Sequence, residues 1–114
     1  NNWTKITPAN PETMAAAGTD LYGDFGANGI WKYNGTPNNW IKISLANPEA
    51  MAGSDSALYC DLGSNGVWKY ESFTWEKIAV SNPTSMAAGS SAVYGEYGVN
   101  GFWKYDGSWG KITQ

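Results

Sequence analysis

The chain has no histidine and no arginine, and all seven of its cations are lysines. Without histidine it lacks the side chain that most often moves protons near neutral pH and the commonest neutral metal ligand, so acid–base catalysis and imidazole metal centres lose their usual carrier. Without arginine, and at a net charge of −3, it carries no basic footprint for nucleic acid or an anionic membrane surface. Its single cysteine, Cys60, rules out an internal disulfide framework and is silent on compartment. No hydrophobic run approaches the length of a membrane span. Neither a signal-peptide pattern nor an initiating Met is read, as expected of a trimmed chain. Leu, Ile, Val and Phe number only 17 of 114 residues, a fraction low enough to raise the question of disorder. The low charge answers it, together with seven Trp and seven Tyr, whose large rings each bury roughly 150 to 250 Å².

What is present is a repeat. LYGDFGANGIWKY over residues 21–33 returns as LYCDLGSNGVWKY over 58–70 and as VYGEYGVNGFWKY over 93–105. Each copy alternates, turns at Asn-Gly (Asn28-Gly29, Asn65-Gly66, Asn100-Gly101) and alternates again, which predicts a β-hairpin with a type I′ turn. With a two-residue turn, or with a loop over residues 26–29, Leu21, Gly23, Phe25, Ile30 and Lys32 share one face and Tyr22, Asp24, Trp31 and Tyr33 the other. Both faces are largely apolar, so the sheet is expected to be covered on both sides.

A second motif, Trp-x-Lys-Ile, occurs four times, at Trp3, Trp40, Trp75 and Trp109, with spacings of 37, 35 and 34 residues. It reads as a short strand. Between it and each hairpin lies Asn-Pro followed by Met and small residues, beginning at Asn10, Asn47 and Asn82. Asn as N-cap, Pro at the first helical position and Gly as stop allow a two-turn helix. The preferred reading is a turn followed by a small-residue strand suited to a crowded axis, with methionine as adaptable filler. One domain results, with repeats of about 1–37, 38–72 and 73–106 and a partial fourth motif over 107–114.

The strand order of each repeat is then small-residue strand, two hairpin strands and Trp-x-Lys-Ile strand, a four-stranded antiparallel meander. With its Leu-Tyr, Gly-x-x-Gly-Ile-Trp-Lys-Tyr-x-Gly and Trp-x-x-Ile elements, the whole chain resembles short-blade bacterial β-propeller repeats and is similar to tectonin-type lectin propellers. That resemblance implies an all-β fold of three propeller blades, a non-enzymatic, lectin-like role and a secreted or cell-surface setting. The alternatives are a β-trefoil or β-prism for the fold, and for the function a structural or protein-binding propeller fragment. Three blades do not close a ring of four to eight, so a six-bladed homodimer is expected, with a larger ring as the alternative. The surplus Trp-x-Lys-Ile copy means that residues 3–7 and 109–113 compete for one role at the junction.

Candidate ligand residues follow from this order. Trp3, Trp40, Trp75 and Trp109 head the outermost strand and are the candidate stacking platforms, whereas Trp31, Trp68 and Trp103 sit mid-strand and are assigned to packing. Asp24, Asp61 and Glu96 recur at one position, as acceptors for a turn or an indole first and for a sugar hydroxyl second. Asn28, Asn65 and Asn100 add amides to the loops. Asp24 to Gly29 offers one carboxylate where calcium loops use several, so no metal or other cofactor is expected. Asn2-Trp3-Thr4 and Asn34-Gly35-Thr36 match the glycosylation pattern.

Overall fold

A computed structural model describes residues 3–113. The glycosylation match at Asn2 therefore lies outside the described residues, while Asn34 sits in an exposed loop.

The fold is all-β, with three four-stranded antiparallel sheets, each a simple meander. Sheet 1 contains β1 (Thr13–Ala17), β2 (Asp20–Asp24), β3 (Ile30–Tyr33) and β4 (Trp40–Ser44). Sheet 2 contains β5 (Ala50–Gly53), β6 (Leu58–Asp61), β7 (Val67–Glu71) and β8 (Thr74–Ala79). Sheet 3 contains β9 (Ser85–Ala88), β10 (Val93–Glu96), β11 (Phe102–Tyr105) and β12 (Trp109–Lys111). The sheets are not closed into a barrel, which removes the trefoil alternative. Each sheet takes its fourth strand from what the sequence numbering makes the start of the next repeat, so the folded unit is offset from the repeat boundaries drawn at residues 38 and 73.

The segments after Asn-Pro are strands β1, β5 and β9, not helices, and they lie side by side at one edge of the stack. Their small residues follow from that crowding. A Cβ on Gly53 would collide with the Ala16 carbonyl oxygen of sheet 1, so only glycine fits there. Gly18 N–H donates to the Ser54 oxygen at 3.0 Å and Asp55 N–H to the Ser90 oxygen at 3.0 Å, tying neighbouring sheets along this edge.

The hairpin turn differs from the type I′ expectation. A 3-10 turn, Gly26–Asn28, fills the loop, with the Phe25 amide donating to the Gly29 carbonyl at 2.9 Å. The left-handed residues are Gly26 (φ 64°) and Gly29 (φ 93°), and Asn28 is not one of them. The same turn recurs at Gly63–Asn65 and Gly98–Asn100. It inserts five residues between the paired Asp24 and Ile30 and sets Tyr22 opposite Lys32 and Gly23 opposite Trp31. Register has a side-chain period of two, so this parity exchanges the faces of the second strand. Tyr22, Asp24, Ile30 and Lys32 share one face, while Leu21, Gly23, Trp31 and Tyr33 share the other. The assignment of Asp24 to the Trp31 face is thereby corrected.

Sheet 2 is the middle layer. Ala17, Tyr22 and Ile30 of sheet 1 pack against Leu58, Cys60 and Tyr70 of sheet 2, with Tyr22 and Tyr70 in edge-to-face contact at 6.1 Å. Ala57 and Tyr59, on the other side of sheet 2, meet Val93, Met86 and Tyr105 of sheet 3. Burial pushes the Tyr22 phenol up to about 12 and the Cys60 thiol well above the usual thiol range. The expectation of a sheet covered on both faces is met by sheet 2.

Candidate functional site

The four outer-strand tryptophans divide into a structural set and an outlier. Trp40, Trp75 and Trp109 each aim the indole N–H back at the isoleucine carbonyl of the preceding Trp-x-Lys-Ile motif: Trp40 to Ile6 at 3.4 Å, Trp75 to Ile43 at 3.2 Å and Trp109 to Ile78 at 2.7 Å. Each also leans on the tyrosine opposite it in its own sheet, with ring centroids 5.1 Å apart for Tyr33–Trp40, 4.8 Å for Tyr70–Trp75 and 5.1 Å for Tyr105–Trp109. A half-buried indole with its N–H satisfied by a neighbouring segment is a cross-link that combines area, ring geometry and a hydrogen bond. Trp3 is exposed, and residues 3–7 carry no strand.

The second tryptophan set occupies the surface beside the first. Trp31, Trp68 and Trp103 donate their indole N–H to the backbone carbonyls of Asn28, Asn65 and Asn100 at 2.8, 3.0 and 2.9 Å. Because the acceptor lies three residues upstream in the 3-10 turn, the ring is pinned by its polar edge and leaves a face partly open to solvent. Of these half-buried tryptophans, assigned to packing from their mid-strand position, Trp31 and Trp103 also line grooves. The signal that would have found them is the invariant Asn-Gly-x-Trp spacing, which places an indole within reach of the turn carbonyl in every copy.

Two grooves of matching construction result. One, of about 570 Å³, lies between sheets 2 and 3 and is walled by Ile78 to Asn82, Tyr97, Asn100, Trp103 and Trp109. The other, of about 250 Å³, lies between the N-terminal segment and sheet 1, with Thr7, Ala9, Phe25, Asn28, Trp31 and Trp40 as its walls. Phe25 meets Trp40 edge-on at 5.5 Å, and Tyr97 meets Trp109 edge-on at 6.3 Å. Burial raises the Tyr97 phenol above its ordinary range, so it stays neutral and remains a hydroxyl donor at the larger groove. Exposed Leu45 and Val80 hold equivalent places just after the outer strands of sheets 1 and 2.

The carboxylates lie elsewhere. Asp24 and Asp61 are 1% and 2% exposed, and each accepts the amide two residues ahead, Gly26 and Gly63, at 2.9 Å. Thr13 Oγ1 donates to Asp24 at 3.4 Å. Turned to satisfy its surroundings, the Asn82 amide nitrogen lies 2.9 Å from Asp61 Oδ1 and 3.3 Å from Oδ2, which ties sheet 2 to the loop entering sheet 3. Burial raises the Asp61 pKa, and the Gly63 amide opposes that shift. These two aspartates do the structural work ranked first on sequence, and neither lines a groove. Glu96 is partly exposed and accepts from Ser85 Oγ at 3.2 Å on the outer face of sheet 3.

Of the ten candidate residues, the structure thus gathers Trp40 with Asn28 and Trp109 with Asn100, and leaves Trp3, Asp24, Asp61 and Glu96 outside the grooves. Trp75 and Asn65 hold the equivalent places between sheets 1 and 2. Among the described residues, no group of three or more His, Cys, Asp or Glu is arranged to hold a metal ion. Compared with profiles of known families, with curated proteins and with solved structures, the chain matches none.

Proposed function

We propose that the three sheets are successive blades of a β-propeller and that the two grooves beside their outer strands recognise neutral carbohydrate without chemistry. The observation that carries this reading is the recurrent groove itself: an indole pinned by its N–H with one face open, a second aromatic wall, and a turn asparagine at the rim. A pyranose offers an apolar C–H face to a ring and hydroxyls to amides and phenols, and this lining supplies both. The larger groove falls within the range of roughly 300 to 1,000 Å³ common for small-molecule sites. Small-residue strands along one edge and Trp-x-Lys-Ile strands along the other are the inner and outer edges that a blade requires. Repetition favours avidity: several weak, near-equivalent grooves bind a multivalent glycan far more tightly than one groove would.

The test is an array of neutral glycans, followed by titration of the best binder against the chain and its Trp103→Ala variant. Trp103 lies at the surface, so its loss is expected to leave the fold intact while weakening the larger groove at least tenfold. An array that stays silent with a folded protein would overturn the carbohydrate reading.

A further inference from the structure

The two grooves form a natural comparison within one chain. Phe25, Leu62 and Tyr97 hold one position in the three copies, directly before the 3-10 turn. The two aromatic members share a seat. A Cβ on Gly23 would stand 2.7 Å from the Phe25 ring, and one on Gly95 would stand 2.8 Å from the Tyr97 ring, so each ring lies over the glycine two residues before it. In the second copy Cys60 replaces that glycine, and Leu62 takes the place of the ring. Phe25 and Tyr97 also meet the outer tryptophan of their sheet in the same way, edge-on to Trp40 and Trp109. At this wall the grooves therefore differ by one phenolic oxygen.

That oxygen is unspent. Among the described residues the Tyr97 hydroxyl meets no hydrogen-bond partner, yet no fully buried side-chain oxygen lacks one, so this hydroxyl reaches solvent. Tyr97 lines the larger groove. The smaller groove has no counterpart, because Phe25 has nothing to donate and the Thr7 hydroxyl already accepts the Ala9 amide at 3.0 Å. The facing wall differs in the same sense, with Ser81 in the larger groove at the place of Ala9 in the smaller. Both grooves offer the same pair of indoles, Trp103 with Trp109 and Trp31 with Trp40. Stacking alone thus gives them no means of preferring different ligands.

We propose that Tyr97 determines the specificity of the larger groove: its hydroxyl reads a free sugar hydroxyl beside the stacked C–H face, while the smaller groove takes the same ring with that hydroxyl present, removed or O-methylated. This rests on the carbohydrate reading of the grooves. A phenol that loses its water to a ligand without a matching hydroxyl is left unpaired, so the larger groove penalises the deoxygenated sugar. An apolar wall carries no such penalty. The chain then combines one discriminating groove with one permissive groove.

The test reads each groove through its own indoles. Isotope-labelled protein gives separate indole N–H signals in NMR spectra, assigned with Trp103→Phe and Trp31→Phe. The probes are the methyl glycosides of glucose, galactose and mannose, with their monodeoxy and mono-O-methyl derivatives. In wild type, removing one particular hydroxyl is expected to weaken binding at Trp103 by about three- to tenfold, the worth of one neutral hydrogen bond, and to leave binding at Trp31 within about twofold. Tyr97→Phe is expected to erase the preference at Trp103 without disturbing the fold, since Phe25 already occupies the same seat. Phe25→Tyr is expected to install the preference at Trp31. Retention of the preference in Tyr97→Phe, or equal preferences in the two grooves of wild type, would overturn the assignment to Tyr97 while the indole shifts uphold carbohydrate binding. Indole signals that no glycoside moves would overturn the carbohydrate reading itself, and the role of Tyr97 with it.

Discussion

Replacing Trp75 with phenylalanine removes one hydrogen-bond donor and part of one ring from the contact between sheets 1 and 2. The indole N–H bonded to the Ile43 carbonyl at 3.2 Å is lost, while a six-membered ring remains beside Tyr70. A net hydrogen bond contributes about 0.5 to 1.5 kcal/mol, and leaving the half-buried carbonyl without its partner adds to the loss. The missing part of the indole costs about 1 kcal/mol more in area. A destabilisation of about 2 kcal/mol is therefore expected. The internal control is Trp68→Phe in the same sheet, which removes a bond of similar length to the exposed Asn65 carbonyl. Water replaces that donor, so its loss is expected to be confined to the missing ring area, about 1 kcal/mol at most. Urea unfolding of both variants at one fixed protein concentration separates them, since association would otherwise shift the midpoints. Equal losses would refute the argument that the outer tryptophans join sheets while the inner ones dress the surface.

Two further outcomes follow from local geometry. The β7–β8 turn places Ser72 at φ 52° and Phe73 at φ 64°, so Ser72→Asn with Phe73→Gly supplies the residues a type I′ turn favours. The double change gives up the stacking of Lys32 on the Phe73 ring at 5.2 Å, yet a net gain of about 1 kcal/mol is expected in thermal melts; a lower melting temperature would count against it. For Tyr22, the folded pKa of about 12 lies above the unfolded value of 10.0, so the fold favours the neutral phenol. Its contribution is complete below pH 10 and is lost as pH rises toward 12. Stability measured by urea titration should fall more gently across that window in Tyr22→Phe than in wild type, and superimposable profiles would sink the assignment.

Much of the architecture was legible because the repeats state it several times over. Period two in the hairpin copies, Trp-x-Lys-Ile at near-constant spacing and small residues after Asn-Pro together specify three antiparallel meanders. The failure was one of parity. Asn-Gly is so strong a type I′ signal that the expected loop is either two residues or the four residues 26–29, both even in length, whereas the loop between Asp24 and Ile30 has five. In the fold it is Gly26 and Gly29 that take positive φ, and the extra residue moves Ile30 and Trp31 to opposite faces from those expected. Trp31 and Trp103 escape as groove walls for a separate reason, their mid-strand position, which reads as packing. The burial of Asp24 and Asp61 followed the bland expectation, whereas the separate position of residues 3–7 had no local signature, since their sequence matches the strands that do pair.

The indole-to-carbonyl bonds reach back 34, 32 and 31 residues, always to the Trp-x-Lys-Ile segment laid down just before. Closing a loop of that size costs about 3 kcal/mol of chain entropy, and the cost is the same at every step because no bond of this type spans the whole chain. Length is therefore not a thermodynamic variable for this design. A version with four or seven layers would meet the same closure cost per layer and a similar local search, so its folding rate would be set by one addition and not by the total. For such a chain, the number of layers is left free to follow geometry alone.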